Sequence, residues 1–172
     1  KQYLEQGELD SEVVLEVHVP METIEELKVG KIIKEYGAKK VLVHYGSASA
    51  KKSGLLDKVT GALKAEGIDF VELGGVKPNP ELGLVRKGIE LCKAEGVDFV
   101  LAVGGGSVLD SSKDIANGVA NPDVDVWEFS MGTAVPQKTL PKGAVLTLSA
   151  AGSEMSNSCV ITNEKTGQKI GY

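Results

Sequence analysis

Gly104-Gly-Gly-Ser107 follows the apolar run Phe99 to Val103 and opens at once into the helix-like pattern Val108 to Lys113. A buried strand that turns through glycines into a helix is how α/β proteins hold phosphate. Without a Cβ the backbone comes close to the anion, and the free N–H groups of the helix's first turn point at it. Gly104, Gly105, Gly106 and Ser107 are therefore candidate anion-binding residues. The spacing matches neither the dinucleotide fingerprint GxGxxG nor the P-loop GxxxxGK[ST], so the rule by itself supports only a phosphate near a helix N-terminus. The bland alternative is a flexible glycine-serine linker. Linkers, however, are not flanked by an apolar strand on one side and a helical pattern on the other.

The elements that must carry this turn follow from periodicity. Strands are expected at Val13 to Val19, Val41 to Tyr45, Ile68 to Leu73, Val97 to Val103 and Val145 to Leu148, where apolar residues alternate or run together. Thr23 with Glu26 resembles a capping box for a helix through Ile24, Leu27, Ile32, Ile33 and Tyr36, closed by Gly37. Further helices are expected through Leu55, Val59, Leu63 and Gly67, from an Asn79 cap with Pro80 to about Glu95, and from the glycine turn to near Ala120. Gly46 to Gly54 reads as a loop of small residues, and Asn121 to Lys142 as irregular chain around Trp127. Ser158 to Thr162 and Gln168 to Tyr172 read as a hairpin about Lys165-Thr-Gly167.

Alternating strands and helices with short connections predict an α/β, Rossmann-like doubly wound domain. It has a mainly parallel sheet, helices on both faces and a C-terminal β-hairpin. Residues 1–172 are expected to form this one domain. Ligands in such a fold lie at the carboxyl ends of the strands, where the loops Gly46 to Ser49, Gly74 to Asn79 and Gly104 to Ser107 fall.

Composition narrows the partners. The formal charge is −5, and no Lys/Arg run exceeds the pairs Lys39-Lys40 and Lys51-Lys52, so nothing supports nucleic-acid binding. No apolar stretch approaches the ~18 residues of a membrane span, and the charged start Lys1-Gln-Tyr-Leu-Glu5 is no signal peptide. A cytoplasmic protein is expected. Two cysteines, Cys92 and Cys159, do not make a disulfide framework and fit a reducing compartment.

Gly104-Gly-Gly-Ser-Val-Leu-Asp-Ser-Ser-Lys113 resembles the GGGSxxDxxK element of the iron-containing alcohol dehydrogenase family, in particular its butanol dehydrogenase-like, NADP-using branch. Leu146-Thr-Leu-Ser-Ala-Ala-Gly-Ser-Glu154, followed by Val160-Ile-Thr-Asn-Glu164, is similar to that family's next signature at the expected distance. The resemblance covers residues 19–172. It implies that the glycine turn holds a pyrophosphate and that Asp110 helps fix the nicotinamide end. It further implies that Thr147, Leu148 and Ser153 wrap adenine and ribose, and that Lys169 reaches the nicotinamide ribose. Read without it, Asp110 is a solvated first-turn carboxylate, Lys113 a surface charge, and Thr147 plain β-propensity.

The end of the second strand bears on the choice of cofactor. Enzymes that use NAD usually carry an acidic residue there for the ribose 2′-OH. This chain has Gly46, Ser47, Ala48 and Ser49, with Lys51 and Lys52 close by, so NADP(H) is favoured and NAD is the alternative. The lysines otherwise only solvate a helix start. Asn79, in the loop after the third strand, completes the candidate cofactor-binding set.

The family polarises its alcohol or aldehyde with iron or zinc held by one Asp and three His beyond these motifs. This chain has His18 and His44, both on expected strands, and neither is read as a ligand; strand packing or solvent exposure is the expected role. The chain also departs from the family at Val19-Pro-Met-Glu22, where a glycine-rich turn is usual, and at Lys142, where an apolar residue is usual. The resulting expectation is an NADP(H)-binding domain with an atypical or rebuilt N-terminus, residues 1–18, and without the family's metal-binding helical domain. The parent would move hydride between NADPH and a small aldehyde or alcohol, while this chain alone would not be catalytic. A truncated or engineered Rossmann-like scaffold that binds nothing is the competing expectation, and self-association stays open.

Overall fold

The computed structural model of the protein describes residues 16–17, 26–46, 48–147 and 152–172. Five strands form one parallel sheet: β1 (Glu16–Val17), β2 (Lys40–Gly46), β3 (Asp69–Val76), β4 (Phe99–Gly104) and β5 (Lys142–Leu146), in the order β1-β5-β4-β2-β3. The helices are α1 (Glu26–Glu35), α2 (Ala48–Lys52), α3 (Leu55–Ala65), α4 (Leu82–Glu95), α5 (Gly106–Ala120) and the single turn α6 (Trp127–Ser130). A 3₁₀ turn at Ser153–Met155 leads to an antiparallel hairpin of β6 (Val160–Asn163) and β7 (Gln168–Gly171). The expected Rossmann-like architecture and its C-terminal hairpin are both present. No helix among the described residues is long and apolar enough to cross a membrane.

The central strands explain the layering. Val41 to Tyr45 and Phe99 to Val103 are buried at every position, as parallel strands covered on both faces must be. On one face Val41, Val43, Phe99 and Leu101 pack with Val29 and Ile33 of α1 and with Val59 and Leu63 of α3. On the other, Leu42 and Val100 pack with Val85 and Ile89 of α4 and Ile115 of α5. The α4–α5 crossing is close because glycines admit isoleucines from the opposite helix. A Cβ on Gly88 would lie 2.5 Å from Ile115 Cδ1, and one on Gly118 would lie 2.3 Å from Ile89 Cδ1.

Four expectations need correction. The small-residue loop after β2 contains a helix, α2, because Ala50 buries its methyl in the core beside Leu56 and Val59. Asn79 does not cap α4. It lies between two prolines at φ 60°, a left-handed conformation asparagine tolerates, and the helix starts only after Glu81. The fifth strand begins three residues early, because Lys142 already pairs with Val100. The segment around Trp127 is not wholly irregular, since it includes the turn α6. The first expected strand is described only at Glu16–Val17; the rest of Val13 to Val19, with Thr23, Ile24 and His18, lies outside the described residues.

His44 shows how the layers are pinned. It is fully buried on β2, and its Nδ1–H donates to Leu73 O at 2.7 Å. A carbonyl only accepts, so Nε2 holds the lone pair and accepts from Ser111 Oγ at 2.8 Å. Burial drives its pKa down to about 4, so the ring is a neutral staple between β2, β3 and α5.

The glycine-mediated crossing makes a paired test. Gly88→Ala is expected to cost about 1–3 kcal/mol by overpacking against Ile115 and Leu73, although alanine is the better helix former. Gly61→Ala in α3, where an added Cβ meets nothing within 4 Å, is expected to gain up to about 1 kcal/mol. Urea midpoints of the two variants should move in opposite directions.

Candidate functional site

The glycine turn stands at the carboxyl end of β4, beside β2, where the chain order in the sheet reverses. Doubly wound sheets open a crevice at this place. Register aligns Tyr45 with Val103 and Gly104 with Leu146, and the Thr147 N–H donates to Gly104 O at 3.1 Å. Gly46, Gly104 and Thr147 therefore share one rim.

The glycines of the turn have different reasons to be glycine. A Cβ on Gly104 would lie 2.6 Å from Val108 Cγ2, because that side chain folds back from α5 over the strand end. Gly105 is extended at φ −102°, ψ −165°, and neither it nor Gly106 has a positive φ. An added Cβ at either position would meet nothing within 4 Å. Neither backbone conformation nor internal packing calls for glycine there, which leaves close approach from outside. The space lies over the N-terminus of a 15-residue helix with no side-chain cap and no acidic residue in its first turn. The Val108 and Leu109 N–H groups donate to Gly105 O; among the described residues nothing accepts from the Gly106 or Ser107 N–H, and with the positive end of the helix dipole these could hold an anion such as a pyrophosphate.

One turn along α5, Ser153 Oγ donates to Asp110 Oδ1 at 2.6 Å, and the Val160 N–H donates to Asp110 Oδ2 at 3.2 Å. Lys113 Nζ donates to Ser153 Oγ at 3.0 Å and to Ser158 O at 2.7 Å, and lies 3.7 Å from Asp110 Oδ1. Burial pulls the Lys113 pKa below the usual lysine value, and the Asp110 charge opposes that shift. The bland readings of these two residues fail. Asp110 is not a solvated first-turn carboxylate, and Lys113, only 5% exposed, is not a surface charge. Together they clamp the 3₁₀ turn and β6 onto α5.

The remaining candidates lie on other elements or outside the described residues. Lys169 Nζ on β7 donates to Asn79 Oδ1 at 2.6 Å, joining two residues 90 apart in sequence. Gly46 ends β2, and Ala48 and Ser49 open α2. Lys51 Nζ lies 5.5 Å from the Tyr45 ring centroid, and its pKa is raised, first by its hydrogen bond to Tyr45. Ser47 and Leu148 lie outside the described residues. Among the described residues no three His, Cys, Asp or Glu side chains come together to hold a metal ion, and His44 commits both ring nitrogens to Leu73 and Ser111. The family's iron or zinc does not fit the residues described. Cys92 and Cys159 are free, buried thiols with raised pKa values.

A buried acid behind the site was not anticipated. Asp114 is 1% exposed, and its Oδ1 accepts from Tyr172 OH at 2.5 Å, while Asn117 Nδ2 donates to that hydroxyl oxygen at 3.1 Å. Its Oδ2 has no partner, and burial pushes its pKa up to about 7. An acid whose folded pKa is raised contributes stability that is complete below its unfolded pKa of about 3.9 and is lost as pH rises through 7. His44 has the opposite sign: its contribution is complete above about 6.5 and is lost as pH falls toward 4. Asp114→Asn should therefore gain stability relative to the parent as pH rises from about 4 to 7, by roughly 1 kcal/mol per pH unit at most. Urea unfolding of both proteins at three pH values in that window measures the slope, and parallel curves would refute it.

Comparison with known proteins places this geometry. Residues 21–172 match the family model of the iron-containing alcohol dehydrogenases. Over 143 residues the chain is 48% identical to the NADH-dependent butanol dehydrogenase A of Clostridium acetobutylicum, covering 83% of this chain and 36% of that protein. Over 135 residues it is 43% identical to the NADPH-dependent aldehyde reductase YqhD of Escherichia coli, covering 77% and 34% respectively. The crystal structure of NADH-dependent butanol dehydrogenase A from Thermotoga maritima superposes with a TM-score of 0.84 at 42% identity, covering 99% of this chain and 41% of that one. The chain spans little over a third of the length of these curated relatives. Since the matched residues run from before α1 through the glycine turn to the end of the hairpin, the chain belongs to the iron-containing alcohol dehydrogenase family.

Proposed function

We infer that this chain is the dinucleotide-binding domain of an alcohol or aldehyde dehydrogenase, and that it takes NADP(H) in preference to NAD(H). The observation that carries the inference is the pair Gly105 and Gly106, glycines without an internal reason above an open helix N-terminus. Gly104 to Ser107 would hold the pyrophosphate through backbone N–H groups, with no side-chain charge needed. Gly46 and Ser47 to Ser49 would receive the adenosine ribose and its 2′-phosphate, with Lys51 as the nearby cation. Thr147 and Leu148 would line the adenine and ribose, Asn79 and Lys169 would stand toward the nicotinamide, and Ser153 and Asp110, bonded to each other, would form one shared wall. Bound there, the cofactor would donate hydride to an aldehyde carbon in its reduced form, or accept hydride from an alcohol carbon in its oxidised form. The chain's own part is to bind it, orient it and fix the walls around it. Substrate orientation, which can amount to ~7–11 kcal/mol of barrier, would come from outside these residues, so the domain by itself is expected to bind without turnover.

One relative is named for NADH and the other for NADPH, so the preference rests on the residues at the end of β2. A carboxylate there repels a 2′-phosphate, and residues 46–49 carry none. Ser47→Asp is expected to weaken NADPH binding by about tenfold or more and to spare NADH, in the direction set by charge repulsion. Fluorescence titration with both cofactors checks it, and unchanged NADPH affinity would remove this loop from the 2′-phosphate site.

Gly106→Asp separates cofactor binding from a scaffold that binds nothing. An acidic residue in the first turn favours the helix, so stability should hold or rise by roughly 0.3–1 kcal/mol. The same charge stands where the pyrophosphate would lie, so binding of both cofactors should be lost. If the parent chain binds neither NADPH nor NADH at millimolar concentration, the scaffold reading replaces this one.

A further inference from the structure

Helix α4 begins without a cap of its own. Its cap position is Glu81, extended at φ −92°, ψ 136°, with no side-chain cap bond and no acidic residue in the first turn. The Glu81 carboxylate is committed to Lys77 Nζ, at 3.2 and 3.4 Å. The first-turn N–H groups of a helix still need acceptors. One acceptor arrives from 81 residues away: the Gly83 N–H donates to Glu164 Oε1 at 3.1 Å and to Oε2 at 3.3 Å. Glu164 stands just after β6, at the start of the hairpin turn.

Gly83 itself points to the same contact. Glycine weakens a helix relative to alanine. Here a Cβ would sit 2.3 Å from Glu164 Oε1, with only atoms of that carboxylate within 4 Å. The glycine admits the incoming carboxylate, and the helix dipole favours a negative charge at that end.

The contact belongs to a seam. The Thr162 N–H donates to Pro80 O at 2.8 Å, and Thr162 forms a parallel bridge with Glu81. In the hairpin Thr162 stands opposite Lys169, whose Nζ reaches Asn79 Oδ1. Residues 79–83 thus meet the hairpin at Asn79, Pro80, Glu81 and Gly83, and Glu164 is the charged end of that seam.

We propose that Glu164 is a positioning residue: by capping α4 from the hairpin it fixes β6 and β7 so that Lys169 stands against Asn79 beside the cofactor. This rests on the placement of Lys169 near the nicotinamide proposed above. Glu164 touches no cofactor; it acts through Lys169.

The test combines amide hydrogen exchange with a double-mutant cycle. In Glu164→Ala the Gly83 and Thr162 amides should exchange about tenfold faster, while those of β2 and β4 keep their protection. Glu164→Gln, which keeps an acceptor oxygen, should restore most of that protection. NADPH affinity should fall about three- to tenfold in Glu164→Ala and in Lys169→Ala, with the double variant no weaker than Lys169→Ala alone. Multiplying losses, or exchange at Thr162 unchanged by Glu164→Ala, would overturn the proposal. Should Lys169→Ala bind NADPH as the parent does, the nicotinamide assignment of Lys169 falls, and Thr162 exchange still decides whether Glu164 holds the hairpin.

Discussion

Helix α5 has almost no solvent face, and the rest of the structure answers to that. From Val108 to Gly118 every residue but Asp110 is buried, and the stretch includes Ser111, Ser112, Lys113, Asp114 and Asn117. Polar groups removed from water need partners, and a buried charge needs them most. They come from distant parts of the chain: His44 to Ser111, Ser153 and Ser158 to Lys113, and Tyr172 to Asp114 and Asn117. The hairpin and the 3₁₀ turn complete the helix that they cover. Ser112 Oγ and Asp114 Oδ2 remain unpartnered, which marks where this exchange is least complete.

A helix held so firmly along its flank has a fixed N-terminus, and the proposed pyrophosphate site lies there. Binding a flexible ligand at backbone N–H groups costs less when those groups need no reordering. The Val108 side chain that closes over Gly104 also reaches toward Gly46, where a Cβ would lie 3.8 Å from its Cγ2. One valine thus lies over the ends of both β2 and β4, which pair directly up to Tyr45 and Val103. The buried polar bonds of α5 and the open glycines of its first turn are two ends of one device.

Elements defined by their own residues were legible in the sequence. The runs Val41 to Tyr45 and Phe99 to Val103, the glycine turn, and the hairpin about Lys165-Thr-Gly167 all appear near the expected bounds. Residues whose roles depend on distant partners were not. Read without the family resemblance, Asp110 and Lys113 are charges on an exposed helix face, because a 3.6-residue pattern shows a polar stripe and not what covers it. Their partners lie 40 to 50 positions downstream. Glu164 stood in the sequence only as the end of the second signature, with no sign of capping, since a cap is sought within the few residues before its own helix, and this one is 81 residues away. Asn79 gave a misleading signal: asparagine before proline fits a cap pattern, and here it takes the left-handed backbone instead.

The same limit bears on how a phosphate would be favoured at the end of β2. Lys51 looked like one of two interchangeable lysines at a helix start, but the structure singles it out. Tyr45 lies across to Gly74, where a Cβ would stand 2.4 Å from the ring, so only glycine on β3 lets that ring lie flat against the neighbouring strand. The ring in turn lies 5.5 Å from Lys51 Nζ, at the rim the cofactor would approach. Glu72 and Asp57 stand close enough to temper that positive charge. Lys51 is exposed, and water screens its field, so a long-range pull on a phosphate would be weak. Any preference for a 2′-phosphate must then come from short-range contacts: the hydroxyls and backbone N–H groups of residues 47–49, and the absence of a carboxylate among them.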